Sequence, residues 1–351
     1  MKKIGMLTSG GDCQGLNTAM RGVAKALYEV VPDLEIIGFL DGYKGLIEDS
    51  YRKMKPSNFS GILTLGGTIL GTSRQPHRSM KQPLENDGPT RLELMIKTFK
   101  RHELDCLVIL GGNGTHKTAN LLYENGVPVV TLPKTIDNDL WGTDVTFGFH
   151  SAVDVATNVI DSIHSTATSH GRVFIIELMG NSAGWLTLFS GVAGGADIIL
   201  IPEIPYDLQF ITAALSRRAQ QNKRFSIITV AEGAVSKENA GLSKKERLRL
   251  RQKSPYPSLA YELAAELTSA TGQEIRVAIP GHYQRGGHPS AYDRVLATRF
   301  GTAAAKLVYE GNFGYMVGMH GYDIEPVPLS EVAGKLKLVP ADSKIVASAR
   351  A

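Results

Sequence analysis

Short apolar runs alternate with longer amphipathic stretches along most of this chain, and the alternation predicts its elements. Residues 4–7 form an apolar run that breaks into glycines and reads as a strand. Residues 18–28 carry apolar positions at helical spacing, and residues 34–40 return to a strand pattern. The order repeats in a helix over 91–101, a strand over 104–110, a helix over 117–124 and a strand over 127–132. A helix over 151–163 follows, then strands over 172–178, 198–201, 226–231 and 276–279. This is the rhythm of mostly parallel sheets covered by helices on both faces, an α/β fold. So many strands in 351 residues divide better into two stacked α/β domains than into one sheet.

One stretch departs from the rhythm. Residues 236–254 hold Lys237, Lys244, Lys245, Arg247, Arg249, Arg251 and Lys253 among few apolar residues. Such a charge run reads as a solvated helix or a mobile insertion, with a flexible lid or an anion-sensing element as the sharper alternative. Elsewhere the composition is that of a globular protein, 43% hydrophobic and 21% charged. The formal charge of +4 suits anionic small-molecule substrates; without a localised stripe it does not argue for nucleic acid. Cys13 and Cys106 are too few and too far apart for a disulfide framework or metal-ligand spacing, as in a reducing cytoplasm. Cys106 lies in an apolar run and Cys13 in a glycine-rich loop, so neither reads as catalytic. The first residues lack a signal peptide's apolar core, and no run reaches the roughly eighteen apolar residues of a membrane span. A soluble, cytoplasmic protein is expected.

The chemistry concentrates in Pro133-Lys134-Thr135-Ile136-Asp137-Asn138-Asp139, directly after the strand at 127–132. Open α/β sheets place ligands beyond the carboxyl ends of their strands, where this segment falls. One carboxylate could take a proton from a hydroxyl, the other could help hold a metal ion, and the ammonium could neutralise phosphate oxygens. On composition alone a polar turn fits the same residues. Three glycine-rich loops add backbone amides. Residues 8–17 join a strand to a helix and favour an anion, though they match neither the Walker pattern nor the dinucleotide fingerprint. Residues 66–74 end in Arg74, whose guanidinium could bridge phosphate oxygens or could simply be solvated. Gly111-Gly112-Asn113-Gly114-Thr115 again puts amides at a strand-to-helix turn; related loops occur in lipid and nicotinamide-cofactor kinases, so alone it leaves the acceptor open.

Taken in order, these motifs are specific. Gly-Gly-Asp-x-x-Gly-x-Asn, Gly-Gly-Thr-x-Leu-Gly-x-x-Arg, Gly-Gly-x-Gly-Thr and Thr-Ile-Asp-Asn-Asp resemble the 6-phosphofructokinase family. The resemblance continues through Met179-Gly180, Ala193-Gly194-Gly195-Ala196-Asp197, Pro202-Glu203 and Gly281-His282-Tyr283-Gln284-Arg285-Gly286-Gly287, covering roughly residues 1–330. It implies the phosphofructokinase fold of two stacked Rossmann-like domains with mostly parallel sheets. Residues 1–148 plus about 284–334 would take the phosphoryl donor. Residues 149–283 plus the C-terminal tail would take the sugar phosphate, with 236–254 as a basic insertion.

The same resemblance implies site residues. Asp137 would be the base for the 1-hydroxyl of fructose 6-phosphate, with Thr135 beside the transferring phosphoryl and Lys134 among the catalytic residues. Asp139 would help hold Mg2+, and Arg74 would bridge the two substrates. Gly11, Tyr43, Gly112, Asn113, Gly114 and Thr115 match the nucleotide-phosphate side. Met179, Gly180, Glu232, His282 and Arg285 match the sugar side. Arg172 and Arg276 match arginines that reach the 6-phosphate from a neighbouring subunit, which implies a homo-oligomer, dimer or tetramer. The implied reaction uses ATP and Mg2+ to make fructose 1,6-bisphosphate and ADP in glycolysis, with no nucleic-acid or membrane partner.

Several positions depart from the family pattern. Lys134 stands where well-known bacterial ATP users have glycine; lysine is typical of pyrophosphate users and of a related ATP-using branch. Gly114 points to ATP, because pyrophosphate users usually carry an aspartate there that would crowd an α-phosphate. Together they favour ATP and keep pyrophosphate as the alternative donor. Asn113 replaces the usual carboxylate near the magnesium, keeping an acceptor but losing a charge, which implies an altered metal shell. It also motivates a third reading, a weakly active sugar-phosphate or nucleotide sensor. Asn181 replaces an arginine; Arg21, Lys25 and Asp197 keep effector-site positions while His164 replaces another arginine, so the implied effector site is incomplete.

Overall fold

Aliphatic and β-branched runs become strands buried on both faces, which need no polar alternation. A computed structural model of the chain describes residues 2–85 and 88–350. In chain order its strands are β1 (Lys3–Thr8), β2 (Glu35–Phe39), β3 (Tyr51–Met54), β4 (Cys106–Gly111), β5 (Val129–Pro133), β6 (Val173–Leu178), β7 (Ile198–Leu200), β8 (Ser226–Ala231), β9 (Ile275–Ala278), β10 (Tyr315–His320) and β11 (Asp323–Pro328). The helices are α1 (Leu16–Val30), α2 (Tyr43–Glu48), α3 (Arg91–Arg101), α4 (Asn113–Glu124), α5 (Phe149–His170), α6 (Trp185–Ala193), α7 (Leu208–Gln220), α8 (Lys244–Lys253), α9 (Leu259–Thr271), α10 (Ala291–Glu310), α11 (Leu329–Val332) and α12 (Lys344–Arg350).

These elements form two compact units. Unit 1 holds Met1–Ser151 and Arg285–Lys337, and unit 2 holds Ala152–Gln284 and Leu338–Ala351. Unit 1 is built on a seven-stranded sheet in the order β11-β10-β5-β4-β1-β2-β3. Pairing is parallel except at the two edges, where β3 and β11 run antiparallel to their neighbours. Phe39, Tyr43, Met95, Leu107, Ile109 and Leu122 are among the residues of its main core. On the other face α1 and α10 lie backbone against backbone, with Gly22 and Gly301 leaving no room for a Cβ on either helix. Unit 2 carries a four-stranded, all-parallel sheet in the order β7-β8-β6-β9 over a core that includes Ile175, Leu215, Ile228 and Leu263.

Sequence patterning and structure differ at several boundaries. The helix predicted over 117–124 begins at Asn113. Its N-cap is Gly112, which offers no side-chain oxygen, so the start carries none of the usual capping signals. The helix predicted over 151–163 runs from Phe149 to His170. In the basic stretch 236–254, residues Lys244–Lys253 form α8, no residue of which is buried. Its start is secured by a capping box in which Ser243 and Glu246 bond reciprocally.

Candidate active site

In unit 1 the strands β1 and β4 are neighbours, and the sheet runs outward from them in both directions. The loops after β1 and β4 therefore leave a switch-point crevice at the carboxyl edge, where α/β sheets bind ligands. The loop after β1 turns through Gly10 at φ +86°, a conformation that suits glycine. The loop carrying Arg74 is fastened to it: Thr8 Oγ1 donates to Gly71 O (2.8 Å), Thr72 Oγ1 donates to Gly10 O (2.7 Å) and Gly10 N–H donates to Ser73 O (3.1 Å). Arg74 itself is exposed.

Past β4 the chain enters α4 with no acidic residue in the first turn, so the amides of Gly114 and Thr115 and the helix's positive end stay available to an anion. A Cβ placed on Gly114 would meet no atom within 4 Å, so the space in front of this turn is open. Tyr43 is only 1% exposed and donates its hydroxyl to Thr115 O (2.8 Å). It supports the turn from the core, and burial raises its phenol pKa.

The segment after β5 completes this edge. Lys134 is 3% exposed; its ammonium donates to Gly11 O and its backbone N–H to Gly111 O (3.0 Å), tying together the ends of three strands. Burial lowers its pKa, and Arg285 lowers it further, against the charges of Asp12 and Asp137. Asp137 N–H donates to Thr135 Oγ1 (3.1 Å), and that hydroxyl lies 3.4 Å from Asp137 Oδ2. Burial raises the pKa of Asp137, opposed by Arg285, Lys134, the Thr135 hydrogen bond and Arg74. Asp139 is pushed up to about 6 by burial and by the charge of Asp137, against Lys337 and Lys134. Asn138, between the two acids, has φ +50° and accepts on Oδ1 from Thr146 N–H (3.0 Å) and from the Lys337 ammonium (3.1 Å).

Arg285 also belongs to this unit. Its Nη1 donates to Asp12 O (2.9 Å), and a Cβ on Gly11 would lie 2.9 Å from the same nitrogen, so a side chain at residue 11 would push the guanidinium aside. Its Nε is buried without a hydrogen-bond partner, a donor that calls for a ligand or water. Cys13 lies close by, its thiol pushed up to about 12 by burial, which makes it inert.

Unit 2 sorts the remaining candidates onto opposite edges of its sheet. Met179 follows β6, Glu232 follows β8, and His282 follows β9, all at carboxyl ends. Buried Gln284 accepts from Met179 N–H (3.4 Å) and donates to Gly281 O (3.0 Å), joining two of these loops. Gly180 adopts φ +140°. Arg172, by contrast, precedes β6, and Arg276 lies near the start of β9. Both pair with Glu274, Arg172 Nε at 2.8 Å from Oε2.

The phosphofructokinase profile matches residues 3–308. An ATP-dependent 6-phosphofructokinase of Spirochaeta thermophila is 56% identical over 100% of this chain and 96% of its own length. Another, from Propionibacterium freudenreichii, is 46% identical over 99% of this chain and 97% of its own. The chain belongs to the phosphofructokinase family. The solved structure of Pichia pastoris phosphofructokinase in the T-state superposes with a TM-score of 0.80 at 31% identity. It matches 94% of this chain, which spans about a third of that longer one (35%).

Among the described residues no group of three or more His, Cys, Asp or Glu side chains forms a ready-made metal site. Two neighbouring acids, Asp137 and Asp139, nonetheless suit magnesium, which takes one or two carboxylates and fills its shell with water and phosphate oxygens. Asn113 offers less than its position implies: its amide N–H2 donates to Lys335 O (2.6 Å), leaving only Oδ1. Sequence reasoning missed Lys337 and the supporting role of Gln284. Gln284 stands inside a recognised motif, whereas Lys337 carries no local signal because its partners lie more than 190 positions away.

Proposed function

We propose that this chain transfers a phosphoryl group from ATP to the 1-hydroxyl of fructose 6-phosphate, giving fructose 1,6-bisphosphate and ADP. The observation that carries the reading is Asp137, a half-buried carboxylate at a strand's carboxyl edge with Lys134, Arg74 and Arg285 around it. Burial makes it a better proton acceptor than a solvated carboxylate, as a base for the sugar hydroxyl requires. The three cations offset charge on the transferring phosphoryl oxygens, the main task in such a reaction. Thr135 places the phosphoryl beside the base. The Gly112–Thr115 turn and the Gly11 loop take the donor's phosphates, and the open space at Gly114 suits an α-phosphate with its nucleoside.

Asp139 would hold magnesium, with Asn113 Oδ1 as a weaker neighbour. Bound there, the ion supplies positive charge to the donor's phosphates. Met179, Gly180, Glu232, His282 and Arg285 serve the sugar. Arg172 and Arg276 serve its 6-phosphate in a neighbouring copy, so the enzyme works as a cytoplasmic homo-oligomer.

Lys134 fits pyrophosphate users and an ATP-using branch alike, which keeps pyrophosphate as the alternative donor. The names of relatives 56% and 46% identical, both ATP-dependent, support ATP. Purified protein with Mg2+ and fructose 6-phosphate is expected to turn over with ATP and to be inactive with pyrophosphate. Turnover with pyrophosphate alone would overturn the choice of donor.

A further inference from the structure

Residues 335–337 form a short strap whose polar contacts go to two segments of the proposed catalytic edge. Lys335 O accepts from Asn113 Nδ2 (2.6 Å) at the first turn of α4. Leu336 forms an antiparallel bridge with Leu140. Lys337 N–H donates to Asp139 O (2.9 Å). The Lys337 ammonium donates to Asn138 Oδ1 (3.1 Å), Thr143 O (2.8 Å) and Asp144 O (2.7 Å). The phosphate-binding turn and the turn holding both acids are therefore stitched to one extended segment.

We propose that this strap positions the phosphoryl-transfer residues, with Lys337 and Asn113 as its positioning residues; the proposal rests on the phosphofructokinase reading of the site. Two observations separate positioning from ordinary packing. First, the two residues ahead of Lys337 bury little: Lys335 is exposed and Leu336 is 38% exposed, so apolar contact does not account for their path. Second, its ammonium grips Asn138, which sits at φ +50° between Asp137 and Asp139. Asparagine adopts the left-handed region readily, so the ammonium fixes the side chain of a residue already suited to this turn. Residue 138 sets the relative direction of the two acids, so a group that fixes it fixes them.

The strap also gives Asn113 a reason to be an amide. Its N–H2 donates to a carbonyl, which a carboxylate cannot do. An aspartate at 113 would set an anion against Lys335 O. By this account the amide secures the phosphate turn to the strap, and its loss of charge toward magnesium is secondary.

The test compares wild type with Lys337→Met, Lys337→Arg and Asn113→Asp. Misplacing reacting groups by about 1 Å can cost 100-fold in rate, so Lys337→Met should lower kcat about 30- to 100-fold. Its KM for fructose 6-phosphate should stay within about threefold, because the sugar side is untouched. Lys337→Arg, which keeps donors for the same acceptors, should recover most of the loss. Asn113→Asp should lower kcat about tenfold. Hydrogen exchange at Asp137 and Thr146, whose amides bond within the turn, should quicken about tenfold in Lys337→Met without faster exchange in the core strands.

A Lys337→Met enzyme with wild-type kcat, or one whose loss matches its unfolded fraction, overturns the strap. Asn113→Asp with unchanged kcat and tighter magnesium dependence overturns the role of Asn113. The exchange readout needs no turnover. If wild type fails with both donors while exchange at the turn still quickens, the phosphofructokinase reading falls and the strap stands. Unchanged exchange at the turn removes the strap whatever the activity.

Discussion

Asp137 and Asp139 share one turn, yet the proposed reaction gives them different work. Asp137 has cations on several sides, which oppose the rise that burial imposes on its pKa. Replacing it by serine removes the base and leaves the sugar contacts in place. Asp137→Ser should therefore lower turnover by about 1,000-fold or more, with the KM for fructose 6-phosphate nearly unchanged. A loss below tenfold would mean that the proton leaves by another route. Asp139 is raised from 3.8 to about 6. A folded pKa above the unfolded one means that the native state binds the proton more tightly. Native stability from this group is thus full below about pH 4 and declines as pH rises to about 6. Asp139→Asn abolishes that penalty. At pH 7 without magnesium the variant should melt higher, on the order of 2–5 °C, and the gain should vanish near pH 4. Calorimetry across pH checks this; a gain that grows on acidification would contradict it. Such a gain in stability at the expense of activity is common for active-site charges.

At the scale of elements, unit 1 depends on one very close helix contact. A Cβ on Gly301 would lie 2.5 Å from Ala19 O, and one on Gly22 would lie 2.9 Å from Thr298 O. Backbone cannot give way as a flexible side chain can, so Gly301→Leu should destabilise by about 3 kcal/mol. Urea unfolding would show it, and an unshifted midpoint would disprove the close approach. Neither glycine announces this in the sequence, because a helix packing against a distant helix leaves no local pattern. What is legible follows burial. Residues of β4, β5, β6 and β8 are buried throughout and appear as mostly apolar runs. The hairpin β10–β11 carries prolines and an exposed outer strand, so its pattern resembles a loop. The start of α4 was hidden by its glycine cap, the same feature that leaves its amides free. Lys134, Asp137 and Asp139 stood out because three ionisable groups leave one strand, whereas Lys337 reaches them only through the folded chain.

For the whole molecule, the informative contrast lies within unit 2. Arg172 stands before β6 and Met179 after it, so a strand of six residues, about 20 Å, separates them. A hexose phosphate cannot span that length. If the arginines hold the 6-phosphate, they must serve a site in another copy. Their setting suits this: β9 is an edge strand, and Arg172 and Arg276 converge on Glu274 at its start. Among the described residues no helix is long and apolar enough to cross a membrane. Shared sites make a specific forecast. Asp137→Ser leaves a subunit unable to transfer phosphate, but its arginines are intact. Arg172→Ala with Arg276→Ala does the reverse. Each variant should be inactive alone, and two-tag co-expression should yield hybrids carrying some whole sites. In a symmetric dimer half the molecules are hybrid and one of their two sites is whole, about a quarter of wild-type activity. Purified hybrids that stay as inactive as the parents would place each site within a single chain, and the arginines would then have to act elsewhere.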